Sequence, residues 1–485
     1  MKRLRQLYLL QSLSLLSSGV TVAPAAIPVR QDRPNIVFIL ADDLGWRDIG
    51  ASGSLWHQTP HLDQLAREGL RHEQAYAPAP ICSASRSAIL TGRSPARLHF
   101  EFVTKLPDAK VEGNHVLRNP AYPLNLPLSE ITLGEMLGSV GYRTGFYGKW
   151  HVSAHNGGYL NWSTTHGPLQ QGFEEGDQEF GSHPYGDATR SPAESGALPD
   201  RDYGSDSLTD QAVGFMRRHR NERFFLYLSH YYVHTPIGSR AQWSVEANRA
   251  ELPSSADPER ATYAAMVETL DALVGRVMRE LDDLGLAENT LVIFTSDNGG
   301  HPQYAANGPA RGSKWNVYEG GLRVPFIVRW PGRVAAGTED ATPMSGTDLF
   351  PTLAAVAGVT PAADIPLDGV NLLPLWENLN SIVRSEPLVW HFPFYHPETN
   401  FDEALPAIGI NDFAVSQTYP QSAIRLGNDK LVHFYEDDRD ELYDLAADPG
   451  EQRDLCRDRP ERAWELRQAL DGYLREVDAR VPTSI

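Results

Sequence analysis

The sequence predicts an α/β protein built on a parallel sheet covered by helices. Three observations carry the prediction. Nearly uninterrupted apolar runs recur at residues 35–40, 224–229 and 291–296, as expected of strands buried on both faces. Helical patterns at 132–140 and 263–284 lie between or beside them, and alternation of the two kinds of segment is the mark of the α/β class. Polar and charged residues follow each run. In open α/β sheets the functional site lies outside the carboxyl ends of the strands, so chemistry is expected near Asp42, His234 and Asp297.

A chain of 485 residues is too long for one small core, and a large domain with a smaller companion is the natural division. We divide it into a leader at 1–26, a catalytic α/β domain at 27–376 and a C-terminal α+β subdomain at 377–485. The leader reads as an export signal: Lys2, Arg3 and Arg5, then a short apolar stretch from Leu7 to Val22, then Ala23-Pro24-Ala25 at a small-residue cleavage site. The expected location is therefore periplasmic or secreted. No other stretch approaches the ~18 apolar residues of a membrane span. Against 62 acidic residues stand 43 basic ones, a formal net charge of -19, which argues against nucleic acid as a partner. The same charge repels anionic substrates at long range, so an anionic substrate has to be captured by a few local cations. With only Cys82 and Cys456, an exported chain of this size is not disulfide-stapled. Cys456, beside Asp454, Arg457 and Asp458, is expected at the start of a surface helix and inert.

The stretch 155–205 is rich in Gly, Pro, Ser and charge and is expected to form a rim around the site. After Trp376 the pattern changes to short strands at 387–392, 422–426 and 430–435, closed by an amphipathic helix at 460–477.

The most informative segment is Cys82-Ser83-Ala84-Ser85-Arg86, followed by Leu90-Thr91-Gly92-Arg93. Asp42-Asp43 and Asp297-Asn298 each follow an apolar strand. Adjacent carboxylates at a strand end serve equally well as a helix N-cap, but two such sets together make an all-oxygen group suited to a hard cation such as Ca²⁺ or Mg²⁺. Gly148-Lys149-Trp150-His151 follows a strand pattern at 144–147. Further on come His234-Thr235-Pro236, Gly312-Ser313-Lys314 and Glu319-Gly320-Gly321. Together these motifs resemble the formylglycine-dependent (type I) sulfatases, bacterial carbohydrate sulfatases and arylsulfatases among them, over about residues 33–480. Ala84 stands where the common signature has proline. Asp206 to Asp210, Thr347 to Leu353 and Glu441 to Leu445 are further segments typical of the family.

The resemblance implies an alkaline-phosphatase-like sandwich: a large mixed, mostly parallel sheet between helices, and a small C-terminal antiparallel sheet. It implies that Cys82 is oxidised by a maturation enzyme to formylglycine, whose hydrate offers one hydroxyl for attack on sulfur and another to expel sulfate. Asp42, Asp43, Asp297 and Asn298 are then the cation ligands, completed by the residue at 82. Lys149, His234 and Lys314 bind the sulfate, with His234 or Lys314 protonating the leaving oxygen. His151 is the base for the second hydroxyl. Arg86, four residues and so about one turn from Cys82, holds the formylglycine in place, and His230 is a structural neighbour. The segment 388–393 resembles polysaccharide sulfatases, which makes His391 a candidate sugar contact and a sulfated carbohydrate the expected substrate. Hydrolysis of phosphodiesters or phosphonate monoesters, and glycan binding without catalysis, remain the alternatives.

Overall fold

The computed structural model describes residues 33–105, 115–158, 160–178, 198–204, 206–253, 257–378, 384–395 and 418–485. The expected leader lies outside them, as do residues 159, 179–197 and 205 of the expected rim.

Strand β1 (Asn35–Ala41) is buried along its whole length. Ile36, Phe38 and Leu40 enter one apolar cluster, while Val37, Ile39 and Ala41 enter another. A strand apolar on both faces requires cover on both sides, and the rest of the sheet repeats the pattern. In chain order the next strands are β2 (Leu70–His72), β3 (Ala75–Tyr76), β4 (Leu117–Arg118), β5 (Arg143–Gly148), β6 (Glu175–Asp177), β7 (Phe224–Ser229), β8 (Thr290–Ser296), β9 (Phe326–Arg329) and β10 (Thr338–Asp340). Eight of these strands form the main sheet, in the order β10-β2-β9-β8-β1-β7-β5-β6. Only β9 runs antiparallel to its neighbours β2 and β8; the other pairings are parallel. The mixed, mostly parallel sheet matches the expectation.

The helices before the C-terminal sheet are α1 (Pro60–Arg67), α2 (Cys82–Thr91), α3 (Pro95–Leu98), α4 (Leu133–Gly138), α5 (Ser207–Arg218), α6 (Gln242–Glu251), α7 (Glu259–Asp283), α8 (Glu319–Leu322), α9 (Leu349–Ala357) and α10 (Leu373–Glu377). Helices α1, α5 and α7 cover one face of the sheet through Leu62, Phe215 and Val267. Helices α2, α4 and α9 cover the other through Ile89, Leu137 and Leu353. The expected helix at 132–140 is shorter at both ends. Thr132 is its N-cap, in a reciprocal capping box with Glu135, and the chain turns at Gly141 with φ +86°.

Small pairs join β3 to β11 (Met344–Ser345) and β4 to β16 (Thr483–Ser484). The C-terminal sheet is antiparallel, in the order β12 (Leu388–Phe392), β13 (Gln421–Leu426), β14 (Asp429–Phe434), β15 (Arg439–Asp444). Ile424, Leu431 and Leu442 pack against Leu466, Leu470 and Leu474 of the closing helix, Pro460–Glu476. Each such leucine contributes about 1.5–3 kcal/mol by leaving water. On the opposite face, Trp390, Phe392, Ala423 and Val432 pack against Tyr76, Trp315 and Tyr318. The C-terminal sheet therefore rests directly on the loop that carries Lys314.

Candidate active site

Four strands adjacent in the sheet, β8, β1, β7 and β5, end at the same level. Ala41 pairs with Ser296, Leu40 with Ser229, and Ser229 with Gly148. The residues that follow are Asp297-Asn298, Asp42-Asp43, His230 to His234, and Lys149 to His151. Segments far apart in sequence thus converge where a parallel sheet exposes its carboxyl ends. The turn after β5 requires glycine: Gly148 has φ +109°, and a Cβ there would lie 1.9 Å from Ser229 O.

Cys82 is the first residue of α2, a helix with no side-chain N-cap. Its Sγ lies 3.6 Å from Asp42 Oδ1 and 3.8 Å from Asp43 Oδ1. Lys149 Nζ donates to Asp42 Oδ2 at 2.6 Å, and Lys314 Nζ donates to Asp43 Oδ2 at 2.6 Å. Arg86 bonds Asp297 Oδ2 through Nε at 2.8 Å, and donates to Lys149 O and Ser229 Oγ at 2.9 and 2.6 Å. Three carboxylates, Asp42, Asp43 and Asp297, thus face three cations, Arg86, Lys149 and Lys314, and none is more than 4% exposed. Buried charges in such numbers are tolerable only when paired.

The electrostatics follow from this pairing. Burial opposes ionisation of Asp43, but Lys314, His234 and Lys149 outweigh it and hold the carboxyl well below its usual range. Burial pushes Asp297 up to about 7 against the pull of Arg86. Burial also raises the Cys82 thiol, against the pull of Lys149 and Lys314. Both lysines are raised, because their carboxylate partners overcome the burial penalty. His151 is driven well below its usual value by burial and then by Lys149, so its imidazole is neutral near pH 7.

His234 Nδ1 lies 2.5 Å from Thr235 O, and its Nε2 lies 3.0 Å from Lys314 Nζ. A carbonyl only accepts and an ammonium only donates, so the neutral ring carries its proton on Nδ1 and accepts on Nε2. Ligand atoms of Asp42, Asp43, Cys82 and His234 all lie within 4.8 Å of one another. Beside them Asn298 Nδ2 donates to Asp43 Oδ1 at 2.7 Å, while Asn298 Oδ1 is buried with no hydrogen-bond partner. An orphaned amide oxygen among carboxylates fits a hard cation, which binds oxygen donors.

Most of the expected residues therefore converge: Asp42, Asp43, Cys82, Arg86, Lys149, His234, Asp297, Asn298 and Lys314 are linked by the contacts above. His151 joins them electrostatically through Lys149, Arg86 and His234, and its ring lies 5.6 Å from that of His155. Arg86 lies on the same helix as Cys82, and its guanidinium is taken up by Asp297, Ser229 and the Lys149 carbonyl. His230 is fully buried, 3.8 Å from Asp206, as a structural neighbour. His391 is not brought to the cluster. It is buried in β12, with Nδ1 2.6 Å from Ser422 Oγ and Nε2 2.8 Å from Arg480 O, which leaves neither nitrogen for a sugar hydroxyl. Cys456 sits in a turn before the closing helix, not at its start, and burial and Asp454 push its thiol up to about 12. Ser229 was not anticipated. Its only sequence signal is a hydroxyl at the carboxyl end of an otherwise apolar strand.

Buried Arg86, Lys149 and Lys314 converge with three carboxylates at the strand ends, an arrangement that suits a hydrolase of small anionic esters. The family model described as Sulfatase matches residues 34–359, and that described as N-sulphoglucosamine sulphohydrolase, C-terminal, matches 313–479. The chain belongs to the sulfatase family and is a sulfuric ester hydrolase. It is 31% identical to the steryl-sulfatase of Mus musculus, over 92% of this chain and 82% of that protein. It is 35% identical to the N-acetylgalactosamine-6-sulfatase of Homo sapiens, over 70% of this chain and 65% of that protein. The solved structure of Ps i-CgsB in complex with k-i-k-neocarrahexaose superposes with a TM-score of 0.70 at 26% identity, covering 92% of this chain and 93% of that one.

Proposed function

We propose that the protein is an exported sulfatase acting on a sulfated carbohydrate, with Cys82 converted by a maturation enzyme to formylglycine. The observation that carries this reading is the placement of Cys82 Sγ beside Asp42 and Asp43, whose other oxygens bind Lys149 and Lys314. The carbohydrate substrate draws support from two relatives: one named for N-acetylgalactosamine-6-sulfate chemistry, and one solved with a neocarrahexaose. Among the described residues no helix is long and apolar enough to cross a membrane. The leader at 1–26 directs export, and 27–376 and 377–485 serve as catalytic domain and subdomain.

Asp42, Asp43, Asp297 and Asn298 would hold Ca²⁺ or Mg²⁺, which supplies charge stabilisation for the sulfate oxygens. The hydrated aldehyde at position 82 supplies the nucleophilic hydroxyl. This chain's own side chains do the rest. Lys149 and Lys314 bind the sulfate and neutralise charge as the S–O bond breaks. Lys314, protonated and bonded to the His234 lone pair, gives a proton to the leaving oxygen, and His234 Nε2 is placed to exchange protons with it. His151, neutral at pH 7, accepts the proton of the remaining hydroxyl. Arg86 favours the ionised form of Asp297 against burial and holds it in place.

Mass spectrometry of the Cys82 peptide tests the conversion, which removes about 18 Da from the thiol form. Turnover is then measured on a panel of sulfated glycans beside phosphodiesters and phosphonate monoesters. Desulfated sugar as the preferred product supports the reading. An unmodified thiol in active enzyme, or a preference for the phosphorus esters, defeats it.

A further inference from the structure

A second buried charge cluster lies apart from the site. Lys430, on β14, is fully buried. Its ammonium is 2.9 Å from Glu319 Oε1 and 2.8 Å from Glu451 Oε1. Tyr76 OH donates to Glu319 Oε2 at 2.7 Å, and the Glu319 backbone N–H donates to Glu451 Oε2 at 2.6 Å. Arg425, on β13, reaches the Tyr76 hydroxyl. Glu319 and Glu451 thus face Lys430 and Arg425, none more than 3% exposed. Apolar residues of the same shape commonly stabilise a fold as well as such a cluster does, so stability alone does not account for it.

What Glu319 leads into supplies a reason. It opens α8, and the next two residues are Gly320 and Gly321. Gly299 N–H donates to Gly321 O at 3.0 Å, Gly320 N–H to Arg311 O at 2.7 Å, and Lys314 N–H to Gly300 O at 3.0 Å. A Cβ at Gly321 would lie 2.0 Å from Asn316 O, and one at Gly299 would lie 2.1 Å from Gly320 O. The α8 backbone therefore lies flush against both the Asn298-Gly299 turn and the loop carrying Lys314.

Resting on the functional reading above, we infer that Lys430 is a positioning residue for the sulfatase reaction: through Glu319 and Glu451 it fixes the α8 turn, and the turn fixes Asn298 and Lys314. The C-terminal sheet is then part of the catalytic apparatus and more than a cover for it. Lysine suits the task because one ammonium can bridge two carboxylates that would otherwise repel each other.

The test uses the full-length protein stripped of metal and titrated calorimetrically with Ca²⁺, then assayed at saturating Ca²⁺. Lys430→Met is expected to weaken Ca²⁺ binding about tenfold or more, as loss of groups that orient metal ligands does. It should lower kcat about tenfold or more, since small misplacements of reacting groups cost that much. Lys430→Met/Glu451→Gln, which removes the excess charge and keeps a hydrogen-bonding partner for Glu319, should regain much of both. Tyr76→Phe removes one hydrogen bond to Glu319 without changing charge, and should lower kcat severalfold with little change in Tm. Wild-type Ca²⁺ affinity and kcat in Lys430→Met, measured well below its Tm, would overturn the inference and leave the cluster a stabilising contact. If Lys430→Met does not fold, an unchanged kcat in Tyr76→Phe overturns it. If the wild type shows no sulfatase turnover, the functional reading fails, and the Ca²⁺ titration alone decides the inference.

Discussion

Asn298 donates its amide N–H to Asp43 Oδ1 at 2.7 Å and leaves its own Oδ1 buried without a hydrogen-bond partner. Turning the amide over would set two oxygens against each other, which is favourable only with a cation between them.

The first prediction concerns that cation. Chelation should abolish turnover, and adding Ca²⁺ should raise Tm, because a ligand that binds only the folded state stabilises it by about 2.7 kcal/mol at a hundredfold excess over Kd. Asn298→Leu should bind Ca²⁺ more weakly. Equal Tm in the stripped wild type with and without either Ca²⁺ or Mg²⁺ excludes the assignment.

The second concerns Cys82. Its Sγ makes only long contacts, 3.6 and 3.8 Å, to Asp42 and Asp43. Cys82→Ala should therefore lose turnover while keeping Tm close to that of the wild type. Residual activity clearly above an unrelated inactive control would remove Cys82 from the role of nucleophile.

The third concerns substrate capture. In the proposed mechanism Lys314 meets the substrate in the ground state and in the transition state, so Lys314→Ala should raise KM and lower kcat together. With a net charge of -19, there is no long-range attraction for salt to screen. The kcat/KM on a short sulfated sugar should then change only modestly between low and physiological salt, because the capturing cations are buried. A steep fall with salt points to an extended basic surface.

The fourth uses His391, whose pKa burial lowers from 6.5 to about 4. Between those values the unfolded chain binds a proton that the folded one refuses. The contribution is complete above pH 6.5 and is lost as pH falls toward 4, at up to about 1.4 kcal/mol per unit. Urea unfolding from pH 7 to 4 should show that slope, and His391→Gln should flatten it. An identical slope in the variant rules out His391 as its source.

Much of this molecule was legible before folding. Strands such as 224–229 announce themselves because a buried parallel strand is apolar on both faces, and Asp42, Lys149, Asp297 and Lys314 fall in short, recognisable motifs. What stayed hidden depends on distant pairing. The partners of Arg86, Asp297 and Ser229, are 211 and 143 residues away. His391 sat among aromatic residues that suggested a sugar site, and only the pairing of β12 with β13 shows Ser422 consuming its ring nitrogen. Lys430 reads as one more charge in an alternating strand until β14 is laid against α8.

The equal count of buried acids and bases at the strand ends also constrains how such a site can change over generations. Replacing any one of Asp42, Asp43, Asp297, Arg86, Lys149 or Lys314 by a neutral residue strands an opposite charge in the interior, at a cost of several kcal/mol. That is a large share of the stability of a marginally stable chain. A descendant with a different substrate charge is therefore expected to carry paired replacements, one acid with one base, and single replacements should be confined to lineages that have first gained stability elsewhere.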